Sequence, residues 1–150
     1  MATNPTDNPR VDFVILADRA EAVNGKLYMM GGAWDRMWVA DFAQQQFLSI
    51  ATGIVVPWNA TNQPHKLTIR VETQDANEIA TLSLNFNAGR PPFLGHAESQ
   101  RIPLAFQLAI RLPEPGAYVI KALIDDCESN KTVFYVQLLP TPPVMAPPSP

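Results

Sequence analysis

Residues 102–124 constrain the fold of this chain more tightly than any other stretch. Ile102, Leu104, Phe106, Leu108 and Ile110 alternate with Pro103, Ala105, Gln107, Ala109 and Arg111. A period of two puts all five large apolar side chains on one face of a strand. Leu112-Pro113-Glu114-Pro115-Gly116 then interrupts the pattern. Its two prolines stop strand and helix alike, and Gly116 supplies a backbone position free of Cβ clashes. Tyr118, Ile120, Ala122 and Ile124 restart the alternation. Two long strands joined by a tight, proline-stiffened corner leave little room for a helical fold.

The corner itself is informative. Leu112-x-x-Pro115-Gly116-x-Tyr118 resembles the tyrosine corner of immunoglobulin-like sandwiches, where the phenol hydroxyl bonds back to the backbone just upstream. Ile120 fills the core slot two positions after the tyrosine, so Tyr118 is read as structural and not catalytic. Further strands follow from the same alternation. Residues 11–18 are apolar on both faces, as a buried strand would be. Asn24-Gly25 marks a hairpin turn into residues 26–30, Gly31-Gly32 marks a bulge or change of direction, and residues 34–39 resume the strand. Residues 47–56 are mostly apolar. Leu67, Ile69 and Val71 alternate with polar partners, as do Leu82, Leu84 and Phe86, and Phe134, Val136 and Leu138 point inward on a last strand. Residues 74–78 and 126–130 read as turns, 87–100 as the longest loop, and 41–46 as at most one helical turn. The expectation is an all-β, antiparallel Greek-key β-sandwich, immunoglobulin-like or C2-like, of about eight strands. Its core should contain Leu104, Phe106, Leu108, Ile110, Tyr118, Ile120, Phe134 and Val136. A lipocalin-like barrel is the second choice, and it would need more evenly matched hairpins and a shorter loop than 87–100.

At 150 residues the chain suits one domain, here residues 11–139, with residues 1–10 as a flexible arm and 140–150 as a proline-rich tail. A net charge of −3 gives no electrostatic footprint for nucleic acid. A single cysteine, Cys127, excludes an internal disulfide framework and a cysteine-rich zinc site. Residues 1–10 contain no apolar signal core, and no run is long and apolar enough to cross a bilayer, so cytoplasmic residence is the expectation.

Reactive chemistry is hard to assemble from these residues. His65 and His96 are the only histidines, and neither has a second ligand at metal spacing; His65 reads as a strand-end residue. Asp125, Asp126 and Glu128 share one loop and Asp75 and Glu78 another, without the dense Asp-x-Asp spacing of a C2-type calcium site. There is no Gly-x-Ser-x-Gly elbow, and Cys127 lies among carboxylates, the opposite of the electropositive setting that activates a thiolate. Gly31-Gly32 lacks the frame of a phosphate cradle. No catalytic, cofactor or metal residue is therefore assigned, and an enzyme is not expected. Trp34, Trp38 and Trp58 are the candidate ligand or interface residues: Trp34 and Trp38 share strand parity, and the three together suggest an aromatic platform. The tail, with six of the fifteen prolines and no charge after Lys131, should populate polyproline II.

Ala17-Asp18-Arg19-Ala20, then Gly25-Lys26-Leu27 and Gly31-Gly32-Ala33-Trp34-Asp35, His65-Lys66-Leu67-Thr68-Ile69, and Pro115-Gly116-Ala117-Tyr118 together resemble a family of small bacterial proteins known only as a domain of unknown function. The resemblance covers residues 11–139, implies a compact β-sandwich and assigns no activity. The functional expectation is a non-catalytic protein that acts through protein–protein contact or self-association, without nucleic acid or membrane insertion. The alternative is a small-ligand or carbohydrate-binding module built on Trp34, Trp38 and Trp58.

Overall fold

The computed structural model describes residues 7–142 and 146–149. The rest of the proposed arm and tail, residues 1–6, 143–145 and 150, lies outside the described residues. Among the described residues there are nine strands where about eight were expected: β1 (Arg10–Val23), β2 (Lys26–Gly32), β3 (Arg36–Val39), β4 (Gln46–Pro57), β5 (Pro64–Thr73), β6 (Glu78–Asn87), β7 (Ser99–Ile110), β8 (Gly116–Ile124) and β9 (Cys127–Leu138). One sheet has the order β2-β1-β4-β7 and the other β3-β9-β8-β5-β6. Every pairing is antiparallel except that of β3 with β9. Placing β4 beside β7 in one sheet, and β5 beside β8 beside β9 in the other, is the immunoglobulin arrangement of strands B-E and C-F-G.

The core lies between the sheets, where Leu48, Ile50, Ile54 and Val56 of β4 meet Leu67, Ile69, Val71, Ile120, Phe134 and Val136. Of the eight core residues expected from alternation, Ile110, Tyr118, Ile120, Phe134 and Val136 are buried. Leu104, Phe106 and Leu108 face the core but stay half-buried, because β7 is the edge of its sheet and has a strand partner on one side only. The corner closes as its sequence requires. Tyr118 donates from its hydroxyl to the Glu114 carbonyl at 2.5 Å, and the same oxygen lies 3.3 Å from the Glu114 amide.

Several local expectations are corrected. The first strand runs to Val23, because Asn24 and Gly25 at φ 49° and 72° form the tight hairpin turn into β2 only there. Trp34 is not part of a strand. Gly31 and Ala33, both at positive φ, turn the chain so that β3 starts at Arg36 and crosses to the other sheet. Gly31 suits this turn because its φ is positive, and a Cβ there would also force the exposed Asp18 carboxylate to move. Residues 41–45 form a turn capped by Asp41, with no helix, and Gln46 already belongs to β4. The last turn is only Asp125-Asp126, at φ 50° and 67°, so β9 begins at Cys127. The polar face of β5 is not wet at Thr68 and Glu72, which are 4 % and 6 % exposed. Ser83 covers the first, and Lys121, 2.9 Å from the Glu72 carboxylate, covers the second.

Small residues let the β1–β2 hairpin curl over the outer face of its own sheet. Ala17, Ala20 and Ala51 are buried there beneath Ile15, Leu27 and Ala105.

Candidate functional site

The three tryptophans divide between the two ends of β4. Trp34 and Trp38 line an open groove of about 330 Å³ with Asp18, Arg36, Met37 and Phe47. Trp58 follows Pro57 at the other end of the strand. Phe47 and Trp58 are eleven positions apart, or about 35 Å of extended chain. The structure therefore brings Trp34 and Trp38 together and leaves Trp58 apart.

Each groove residue is placed by a local rule. In β3, Met37 and Val39 point inward, which turns Arg36 and Trp38 out. Trp38 is 56 % exposed and Phe47 75 % exposed. The Arg36 guanidinium lies 4.3 Å above the Tyr135 ring, a cation–π contact that fixes it beside the groove. Trp34 packs half-buried against the core. Its indole Nε1 is buried without a hydrogen-bond partner among the described residues. Phe47, Asp18 and Arg36 were not singled out in the sequence. Phe47 shares the phase of Ser49, Ala51 and Gly53, opposite to the core-facing Leu48 and Ile50, but unlike those small buried residues it is exposed near the start of β4, and the sequence carried no signal for that difference.

Trp58 has no free ring face for a ligand. The Arg90 guanidinium carbon lies 3.5 Å from its ring centre and the His96 ring stacks at 3.9 Å. Two groups so close to one ring cannot share a side, so the indole is sandwiched. Arg90 also donates to Thr61 Oγ1 at 2.8 Å and to the Trp58 carbonyl at 3.2 Å. This stack pins the 87–100 loop to the short 3-10 turn Trp58–Ala60.

His65 makes a His–Asp pair that chemistry must consider. Nδ1 lies 2.9 Å from Asp125 Oδ2, and Nε2 donates to the Ala60 carbonyl at 3.0 Å. Both ring nitrogens are thus committed to protein groups, and neither is free to take a proton from a nucleophile. Burial pushes the Asp125 carboxyl up, but hydrogen bonds from His65 and the Lys66 amide, with the charges of both residues, outweigh it and hold it below its ordinary range. Asp126 pairs with Lys66 Nζ at 2.7 Å. The acidic loop is neutralised from within, and no group of three or more His, Cys, Asp or Glu side chains converges as a metal site among the described residues. No helix there is long and apolar enough to cross a membrane.

These features define an immunoglobulin-like β-sandwich with an aromatic groove at one end. The chain belongs to DUF6941, a family of unknown function, whose model matches residues 12–137. No curated protein matches the sequence.

Proposed function

We propose that this is a non-catalytic, cytoplasmic β-sandwich protein that acts through protein–protein contact or assembly. The observation that carries the reading is the exposure of Trp38 and Phe47 on one groove. Leu138, expected to point inward, is exposed with Leu139 where β9 runs out beside the end of β3, and the Leu139 amide bonds to the Val39 carbonyl there. Aromatic side chains, tryptophan and phenylalanine among them, are enriched at interfaces, and contiguous exposed apolar area marks docking surfaces. Asp18 and Arg36 supply the polar rim.

A second reading, a small-ligand or carbohydrate-binding groove, draws support from Trp34 Nε1, a buried donor beside a groove of about 330 Å³. One comparison separates the two. Proteins captured from the native host by the wild type and lost by the Trp38→Ala/Phe47→Ala variant, at unchanged melting temperature, support the contact reading. Identical captured sets, with saturable quenching of tryptophan fluorescence by an oligosaccharide, would replace it with the ligand reading.

A further inference from the structure

β7 is an edge strand whose backbone phase can be established from three independent contacts. Pro103 lacks an N–H, yet the β4–β7 ladder runs without a register shift from Gln46↔Ile110 to Pro57↔Ser99. An uninterrupted ladder tolerates proline only where its nitrogen faces away from the partner strand. Val11, in β1, donates its amide to Ser129 Oγ and receives Asn130 Nδ2 on its carbonyl, so its backbone faces away from β4 and that of Arg10 faces it. Alternation across β4 then turns Ile54 toward Ile102. At the far end the Trp58 amide donates to the Glu98 carbonyl, in the same phase. The even-numbered residues of β7 are therefore bonded to β4. Ala105, Gln107 and Ala109 aim their N–H and C=O groups at the open edge, flanked by the donorless Pro103.

Natural edge strands are guarded by charges, proline, bulges or short length, and here Pro103 guards only the start of the strand. β7 has twelve residues, no bulge, and no charge between Arg101 and Arg111. Its core-facing Leu104, Phe106 and Leu108 remain half-buried. We infer that the open edge of β7 pairs antiparallel with β7 of a second copy of this chain, about a two-fold axis at Gln107. This inference rests on the protein-contact reading above and assigns it a second surface. A second copy is the occupant because the edge is complementary to itself. A two-fold axis sets each residue opposite its symmetry mate, so a charge near the centre would repel its own copy, and the centre here is Ala105-Phe106-Gln107-Leu108-Ala109. Ala105 meets Ala109 of the second copy, and Phe106 meets Leu108, which extends the apolar layer across both molecules. Arg111 falls opposite Pro103, away from its own mate. The three outward residues of each copy provide about six inter-strand hydrogen bonds.

Light scattering behind size exclusion tests this on the full chain. The wild type should show twice its 16.5 kDa mass at micromolar to sub-millimolar concentration. Gln107→Pro deletes only an outward N–H, so it should keep the melting temperature within a few degrees and run as a monomer. Should Gln107→Pro fail to fold, Gln107→Lys, at an exposed position, sets like charges on the axis and should weaken association in a manner reversed by added salt. A wild type monomeric throughout, or association undiminished in folded variants, overturns the edge inference. Association lost in Trp38→Ala/Phe47→Ala but kept in Gln107→Pro also overturns it, and leaves the contact reading standing.

Discussion

Tyr118 carries two backbone contacts on one oxygen, both to Glu114, and its ring stacks on Phe134 at 5.6 Å. Removing the hydroxyl in Tyr118→Phe should lower stability by about 1 kcal/mol in urea melts. Equal midpoints would show that the corner bond contributes nothing. Burial pushes the Tyr118 phenol above its ordinary range; the Glu114 backbone bond opposes that and the Glu114 charge adds to it. The unfolded phenol ionises near pH 10, so this residue's contribution is complete below that pH and lost as pH rises toward the higher folded value. The phenylalanine variant should therefore lose less on the alkaline side. Asp125 has the opposite sign. Its carboxyl is held low, so its contribution is present above about pH 4 and disappears as pH falls through the folded value. Asp125→Asn, which tolerates the positive φ of that turn, should flatten the acid limb of the stability curve; an unchanged limb would remove the His65 pair as a cause. Tyr118 was legible in sequence because its partner is four residues away. The pair of His65 with Asp125 was not, because 60 residues separate them.

β7 and β9 show what alternation can and cannot say about an element. It placed Phe106 and Phe134 on core-facing sides, and both face the core. It carried no information on neighbours, and these decide burial: Phe134 has strands on both sides and is fully buried, whereas Phe106 sits on an edge strand with a partner on one side only. Phe134→Ala should accordingly cost about 3–5 kcal/mol, and Phe106→Ala about 2 kcal/mol, in denaturant titrations. Equal losses would mean that β7 is covered in solution, which the self-paired edge would produce at high protein concentration. Dilution should then restore the difference. Strand ends were the other weak point. Residues 126–130 contain polar side chains that suit a loop equally well, and only the positive φ at Asp125 and Asp126 shows that two residues suffice to turn the chain.

The whole molecule is stitched together by pairings remote in sequence. Arg10 meets Val55, Gln46 meets Ile110, and Arg36 meets Tyr135. Loop-closure entropy must be overcome before such contacts stabilise anything, so refolding should take milliseconds to seconds in stopped-flow fluorescence. A microsecond phase carrying the full amplitude would contradict a nucleus built on these pairings. The tryptophans teach the same lesson at this scale. Trp34 and Trp38 share a groove because β3 crosses to the second sheet beside β9, and Trp58 is excluded because β4 is long. By itself the sequence determined the period of two, the corner at Tyr118, the turn at Asn24-Gly25 and hence the β-sandwich class, all of which are local consequences of side-chain size, proline and glycine. Tertiary structure alone decided which strands became edges, that β3 runs parallel to β9, that Arg90 and His96 close both faces of Trp58, and that Trp38 and Phe47 are left exposed together. Those outcomes depend on which distant strands become neighbours, and a strand's own residues encode its faces but not its flanks.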